Sequence, residues 1–186
     1  MELNKGDVII FPTDTVYGIG AKITDIEALE KIYEIKKRPS NKRLAVLCDS
    51  VSEIEKIAYL NDDAVKLISE FMPGALTIIL KSKEEVRNEF VFETVAVRIP
   101  DHELALQILK VNGAMATTSV NISGFKPMND YVEIVRKFSN QVSCIYPNVM
   151  IPSKVSSTIV DLSGDDCILV REGNIKFNEI LKVLNK

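Results

Sequence analysis

Val8-Ile9-Ile10-Phe11-Pro12-Thr13-Asp14-Thr15-Val16-Tyr17-Gly18-Ile19-Gly20 is the stretch from which the rest of this chain is read. An apolar run ends at a proline and gives way to hydroxyls, a carboxylate, a phenol and two glycines ahead of a helical pattern. That is a strand emptying into a polar loop. Open α/β sheets bind ligands beyond the carboxyl ends of their strands, so a loop this rich in hydrogen-bonding groups is a candidate site. Taken alone, ordinary turn chemistry is the preferred account, with Thr and Asp satisfying backbone and Gly turning the chain.

Downstream, strand and helix signals alternate. Thr24-Asp25-Ile26-Glu27 is a capping-box pattern ahead of an apolar face at Ile26, Leu29, Ile32, Tyr33 and Ile35, and Pro39 closes that helix. Lys36-Lys37-Arg38-Pro39-Ser40-Asn41-Lys42-Arg43 is a cationic loop leading into Leu44-Ala45-Val46-Leu47-Cys48, a buried strand. Ser50-Val51-Ser52-Glu53 caps a short helix, a third helix spans Asp62 to Phe71, and Pro73-Gly74 breaks it. Strands at 75–80 and 94–99 are joined by a charged surface segment, and a helix runs from Asp101 to Val111 before Gly113. A strand then leaves Ser119-Val120-Asn121-Ile122-Ser123-Gly124 at its end, repeating the design of the opening stretch. A helix at 130–138, a strand near 142–146, paired strands at 158–162 and 167–170, and a terminal helix complete the chain.

Short links such as 161–167 suit antiparallel neighbours, whereas helical crossovers suit parallel ones. The alternation therefore predicts an α/β fold (α+β by some schemes), a twisted mixed sheet flanked by helices, in one domain spanning residues 1–186. A chain of 186 residues with 46% hydrophobic content buries a full core. With 23 Lys and Arg against 26 Asp and Glu, the net charge of -3 supplies no global attraction to nucleic acid or an anionic membrane. The first residues lack a signal-peptide layout and no apolar run reaches membrane-spanning length, so a cytoplasmic protein is expected. Cys48, Cys144 and Cys167 are expected as reduced thiols, two of them in the core. The single histidine, His102, disfavours His-clustered metal sites and reads as a surface helix cap.

Four polar clusters ask for a common account: Thr13 to Tyr17; Lys36, Arg38 and Lys42; Ser119, Asn121 and Ser123; and Ser157 with Arg171. Cations on a loop with Ser, Asn and backbone N–H groups at strand ends suit an anion, a phosphate chain or a carboxylate. No Walker A sequence or Gly-rich dinucleotide fingerprint occurs. A solvated turn accounts for the cationic loop in isolation, backbone capping for the Ser-Asn-Ser loop, and an edge salt bridge for Arg98.

These blocks carry a resemblance. Pro12-Thr13-Asp14-Thr15-Val16-Tyr17-Gly18, Lys36-Lys37-Arg38-Pro39, Pro73-Gly74-Ala75-Leu76-Thr77, Val95-Ala96-Val97-Arg98-Ile99-Pro100, Ser119-Val120-Asn121-Ile122-Ser123-Gly124, Ser157-Thr158-Ile159-Val160-Asp161 and Arg171-Glu172-Gly173 resemble, in order, the successive blocks of the YrdC/TsaC family. Each block is weak alone; seven in the family's order are highly specific. The resemblance implies an L-threonylcarbamoyladenylate synthase that joins L-threonine, bicarbonate and ATP into threonylcarbamoyl-AMP and pyrophosphate. It further implies a concave basic cavity, Mg²⁺ carried in with ATP and no metal held by the protein alone. The product would pass to a separate tRNA threonylcarbamoyl transferase complex, with contact to tRNA not required. The chain's end soon after the Arg-Glu-Gly block resembles the short single-domain form.

Carried over residue by residue, the resemblance places threonine at Thr15, Arg98, Ser119 and Ser157, and ATP at Arg38, Lys42, Thr94, Asn121 and Arg171. Lys36 and Arg38 would neutralise phosphate charge, with Thr13, Tyr17 and Ser123 lining the cavity. Three departures from the family pattern stand out: Arg43-Leu44 and Leu47 where longer members often have Pro-Leu and a downstream histidine, Ala75 where Pro follows Pro-Gly, and Val120 at the middle of the family's Ser-Ala-Asn block. The competing expectation is an RNA-binding module that holds a tRNA backbone in the same cavity. The net charge and the lack of an aromatic-basic stripe count against it.

Overall fold

The computed structural model describes residues 1–88, 90–148, 153 and 155–185. The opening stretch forms β1 (Ile9–Phe11) and β2 (Gly18–Lys22), antiparallel with Phe11 opposite Gly18, so the polar loop joins two strands rather than a strand and a helix. The sequence conceals β2 because two of its five residues are glycines, which carry no hydrophobic signal. Their smallness is required: a Cβ on Gly20 would lie 2.6 Å from Thr117 Oγ1, and one on Gly18 2.8 Å from Thr117 Cγ2.

Helix α1 (Ile26–Lys36) is capped by Asp25, whose carboxylate accepts from the Ala28 N–H at 3.1 Å and the Gly6 N–H at 2.7 Å. The cap thus falls one residue after Thr24. The chain continues as β3 (Ala45–Leu47), α2 (Val51–Ile57), α3 (Asp62–Phe71), β4 (Leu76–Lys81), β5 (Thr94–Arg98), α4 (Glu103–Asn112) and β6 (Met115–Ser119). It ends with α5 (Tyr131–Phe138), β7 (Cys144–Ile145), β8 (Thr158–Asp161), β9 (Ile168–Arg171) and α6 (Phe177–Leu184). Among the described residues, nine strands form one mixed sheet in the order β7-β1-β2-β6-β3-β5-β4-β8-β9, with parallel pairs β1/β7, β3/β5 and β4/β8.

The two faces of this sheet have different fates. On one face, Val46, Ile78, Leu80, Val95, Val97 and Val160 are buried with apolar residues of α2, α3 and α6, while Ile10, Ile19, Ala21 and Ala116 are buried with those of α1 and α5. Side chains alternate between faces along a strand, so the other face carries Ala45, Leu47, Thr77, Ile79, Ala96, Arg98, Thr117, Ile159 and Asp161. Helix α4 packs there through Ala105, Ile108 and Leu109, against Ile9, Phe11, Leu47 and Met115. Ala45, Ile79, Ala96, Ile159 and Asp161 stay only half-buried. The uncovered part of that face is where a ligand fits.

His102 does cap α4, its Nδ1 accepting from the Ala105 N–H, yet it is buried rather than on the surface. Its Nε2 lies 3.3 Å from Asn148 Oδ1, which ties the cap to the segment after β7. Cys48 is fully buried, whereas Cys144 and Cys167 are half-buried. No helix among the described residues is long and apolar enough to cross a membrane.

Candidate active site

The open face holds a cavity of about 480 Å³. Strand register explains its lining. The β3/β5 ladder sets Leu47 beside Arg98 and Ala45 beside Ala96, the β4/β5 ladder sets Ile79 beside Ala96, and the β4/β8 ladder sets Thr77 beside Ile159 and Ile79 beside Asp161. Small and apolar side chains form the floor, and polar groups enter from the strand ends and loops. The charged lining residues are Arg38, Arg43, Arg98, Arg171 and Asp161.

At the carboxyl end of β5, Arg98 is buried with three partners. Its Nη2 donates to Asp14 Oδ1 at 2.6 Å, Nη1 to Thr15 Oγ1 at 2.8 Å and Nε to the Gly74 carbonyl at 2.8 Å. The loop 12–17 is shaped for this contact: Thr13 Oγ1 donates to the Val16 carbonyl at 2.7 Å, accepts from the Thr15 N–H at 3.2 Å and lies 3.1 Å from Thr15 Oγ1. Five guanidinium N–H groups against three bonds leave Arg98 donors for a carboxylate.

Ser157 faces this group from β8's approach, its Oγ 2.8 Å from Thr77 Oγ1. Arg171 holds the Ser157 carbonyl with Nη2 at 2.8 Å and Nε at 3.2 Å. Burial, and then repulsion from Arg98, lower the Arg171 pKa from its ordinary value. Arg98 and Arg171 thus stand close enough to repel, with Asp14 paired to Arg98. Gly173 explains the Arg-Glu-Gly block: a Cβ there would sit 2.1 Å from the Ser156 carbonyl oxygen and 2.6 Å from the Ser157 carbonyl carbon. Gly173→Ala is therefore expected to push β9 off β8 and to destabilise the fold by about 2 kcal/mol. Thermal denaturation would register the loss, together with weaker binding of any ligand that uses Arg171.

The structure brings together Thr13, Thr15, Tyr17, Arg38, Thr94, Arg98, Ser119, Ser157 and Arg171 around the cavity. Tyr17 borders it, although its ring packs in the core under α1 and α5 and burial pushes its hydroxyl up to about 12. Lys36, Lys42, Asn121 and Ser123 are not among the lining residues. Lys36 is only 1% exposed, and its ammonium donates to the Ser119 carbonyl, to the Asn121 carbonyl at 2.9 Å and to Asn121 Oδ1 at 2.7 Å. All three donors are spent on the loop that carries Ser119, so Lys36 positions that loop and has none left for a phosphate. Asn121 receives Ser119 Oγ at 2.9 Å and donates to the Phe125 carbonyl, while the Ser123 N–H donates to the Lys36 carbonyl at 2.8 Å. The Lys42 side chain is exposed; its carbonyl is what matters, accepting from Tyr33 Oη and Arg38 Nε at 3.0 Å each.

Sequence reasoning gave no role to Arg43, Asn41, Thr77, Ser156, Thr117 or Asp161, all of which line the cavity. The available signal was face parity: Arg43 lies two residues before Ala45, and Thr77 and Asp161 alternate with buried Ile78 and Val160.

Fold and site define an α/β protein with a cleft on the open face of a mixed sheet. The family model for Sua5, YciO and YrdC, described as telomere recombination, matches residues 2–173, and the chain belongs to this family. A Methanocaldococcus jannaschii relative is 35% identical over 181 residues, covering 97% of this chain and 86% of its own. The Pyrococcus abyssi threonylcarbamoyl-AMP synthase is 33% identical over 188 residues, 99% of this chain but only 55% of its own length. Among solved structures, P. abyssi Sua5 complexed with L-threonine superposes with a TM-score of 0.88 at 34% identity, over 96% of this chain and 54% of that one. Escherichia coli YciO superposes with a TM-score of 0.87 at 30% identity, over 95% and 87%.

Proposed function

We propose that this protein is an L-threonylcarbamoyladenylate synthase, a nucleotidyltransferase that supplies the threonylcarbamoyl group for tRNA modification. The observation that carries the reading is Arg98. It is buried at one end of the cavity with donors to spare, flanked by Thr15, Ser157 and Arg171, as a site for an amino-acid carboxylate requires. Relatives named threonylcarbamoyl-AMP synthase and the threonine complex of P. abyssi Sua5 support it. They offer no support for an RNA-binding module.

The reaction makes modest chemical demands. The threonine amine attacks bicarbonate, forming an N–C bond and expelling water, which gives a carbamate. A carbamate oxygen then bonds to the α-phosphorus of ATP as the bond to the bridging oxygen breaks, and pyrophosphate leaves with that electron pair. No step needs a covalent nucleophile; the protein supplies positioning and charge neutralisation. Arg98 with Thr15 and Ser157 would orient threonine, while Arg38, Thr94 and Arg171 would face the nucleotide. Among the described residues no group of three or more His, Cys, Asp or Glu is placed to hold a metal. A Mg²⁺ ion would arrive on the ATP phosphates as part of the substrate.

Pyrophosphate release from ATP, with threonine and bicarbonate omitted in turn, tests the reading. Release is expected only when both are present. Equal release without threonine would overturn it.

A further inference from the structure

Arg43 follows the cationic loop, and its backbone is fixed. The Lys42 carbonyl accepts from Tyr33 Oη and Arg38 Nε, and the Arg43 carbonyl accepts from Arg38 Nη2 at 2.6 Å. From this base the Arg43 guanidinium reaches to the start of β5, 4.6 Å above the Phe92 ring, with Nη1 donating to Thr94 Oγ1 at 2.5 Å. Both Arg43 and Thr94 line the cavity. No carboxylate pairs with Arg43 among the described residues, and its Nε and Nη2 make no hydrogen bond among them.

An arginine held over an aromatic ring keeps its remaining donors in the planar guanidinium fork, the geometry that binds phosphate oxygens bidentately. Arg38, by contrast, spends Nε and Nη2 holding its own loop. Thr94 and Arg98 lie at opposite ends of β5, about 13 Å apart at ~3.3 Å per residue. The cavity thus has a carboxylate end at Arg98 and a second guanidinium end at Arg43. An amino acid and an extended polyphosphate together fill that span.

We propose that Arg43, held over Phe92 and on Thr94, binds the terminal phosphates of the nucleotide and so sets the preference for a triphosphate over shorter chains. This inference rests on the nucleotide reading above. It gives Arg43 a share of the phosphate contact that the resemblance implies for Lys36 and Arg38, since Lys36 does not line the cavity and Arg38 spends Nε and Nη2 on its own loop.

Titration calorimetry of wild type, Arg43→Met, Arg43→Lys and Phe92→Leu against ATP, ADP and AMP in the presence of Mg²⁺ tests it. Losing one exposed charge-assisted contact is expected to cut the ATP-to-AMP affinity ratio about tenfold in Arg43→Met. AMP and threonine affinities and the melting temperature are expected to stay unchanged. Arg43→Lys, which keeps the charge without the fork, and Phe92→Leu, which removes the stack, are expected to fall between. Equal weakening for all three nucleotides, or an unchanged ratio, would overturn the proposal while leaving the synthase reading intact. A wild-type protein that binds no nucleotide at all would overturn both.

Discussion

Arg98→Ala is expected to lower threonine affinity roughly a hundredfold or more, since charge-assisted hydrogen bonds contribute roughly 1.5–3 kcal/mol each. ATP affinity should change far less, and Arg38→Ala should reverse that pattern. Stability should fall as well, for a reason separate from chemistry. Asp14 faces Arg98 with little solvent contact, the two side chains 16% and 7% exposed, and deleting one member of a buried pair leaves the other uncompensated at a cost of about 3 kcal/mol. The double substitution Arg98→Met with Asp14→Asn removes both charges and keeps an acceptor for the Asp101 N–H that Asp14 now receives at 3.2 Å. It is expected to recover most of the lost stability and none of the threonine affinity. Calorimetry with each ligand, beside chemical denaturation, separates the two effects. Recovery of threonine binding in the double variant would exclude Arg98 as the carboxylate partner.

Lys36→Met is expected to abolish activity without removing any group from the cavity lining. Its loss strips donors from the Ser119 carbonyl, the Asn121 carbonyl and Asn121 Oδ1, and a buried acceptor left unsatisfied costs roughly 1–3 kcal/mol. The loop that presents Ser119 then loses its anchor. Burial, with repulsion from Arg38, pushes the Lys36 ammonium down to about 7 from the ordinary lysine value. Between that value and the unfolded one, the unfolded chain binds more protons, so the contribution of Lys36 to stability rises with pH through this window. Urea denaturation at pH 7 and pH 9.5 should therefore show the stability gap between wild type and Lys36→Met widening in favour of wild type. Other titrating groups are common to both chains and cancel in the difference. A gap that stays level with pH would mean that the three acceptors hold the ammonium charged throughout.

Much of the frame is legible in residue order. The strands at β3 to β6, helix α3 to the residue and the β8/β9 hairpin follow from apolar periodicity, caps and turn residues, which are local signals. Strand β2 was not legible, because Gly18 and Gly20 are selected by contact with Thr117 across the sheet rather than by a pattern of their own. The burial of Lys36 is hidden for a related reason. Within a run of cations it resembles a solvated group, and only the return of the chain 83 residues later supplies the carbonyls that bury it. Arg98, Thr15, Ser157 and Arg171 all line the cavity, and each stands at a strand end or loop, a position that residue order can reveal. That Arg38 serves its own loop while Arg43 projects across the cavity depends on tertiary hydrogen bonding, which residue order does not encode.

Among the described residues, five helices cover one face of the sheet and one, α4, packs on the other. This lopsided cover divides the chain into positions that hold the protein together and positions that choose its ligand. Ala45 and Ala96 sit side by side on the cavity floor, half-buried and outside the three packed clusters, so added volume there subtracts from the ligand's room instead of straining the interior. Evolution or design can therefore retune the size of the accepted substrate at these two alanines while the folding free energy is left almost untouched.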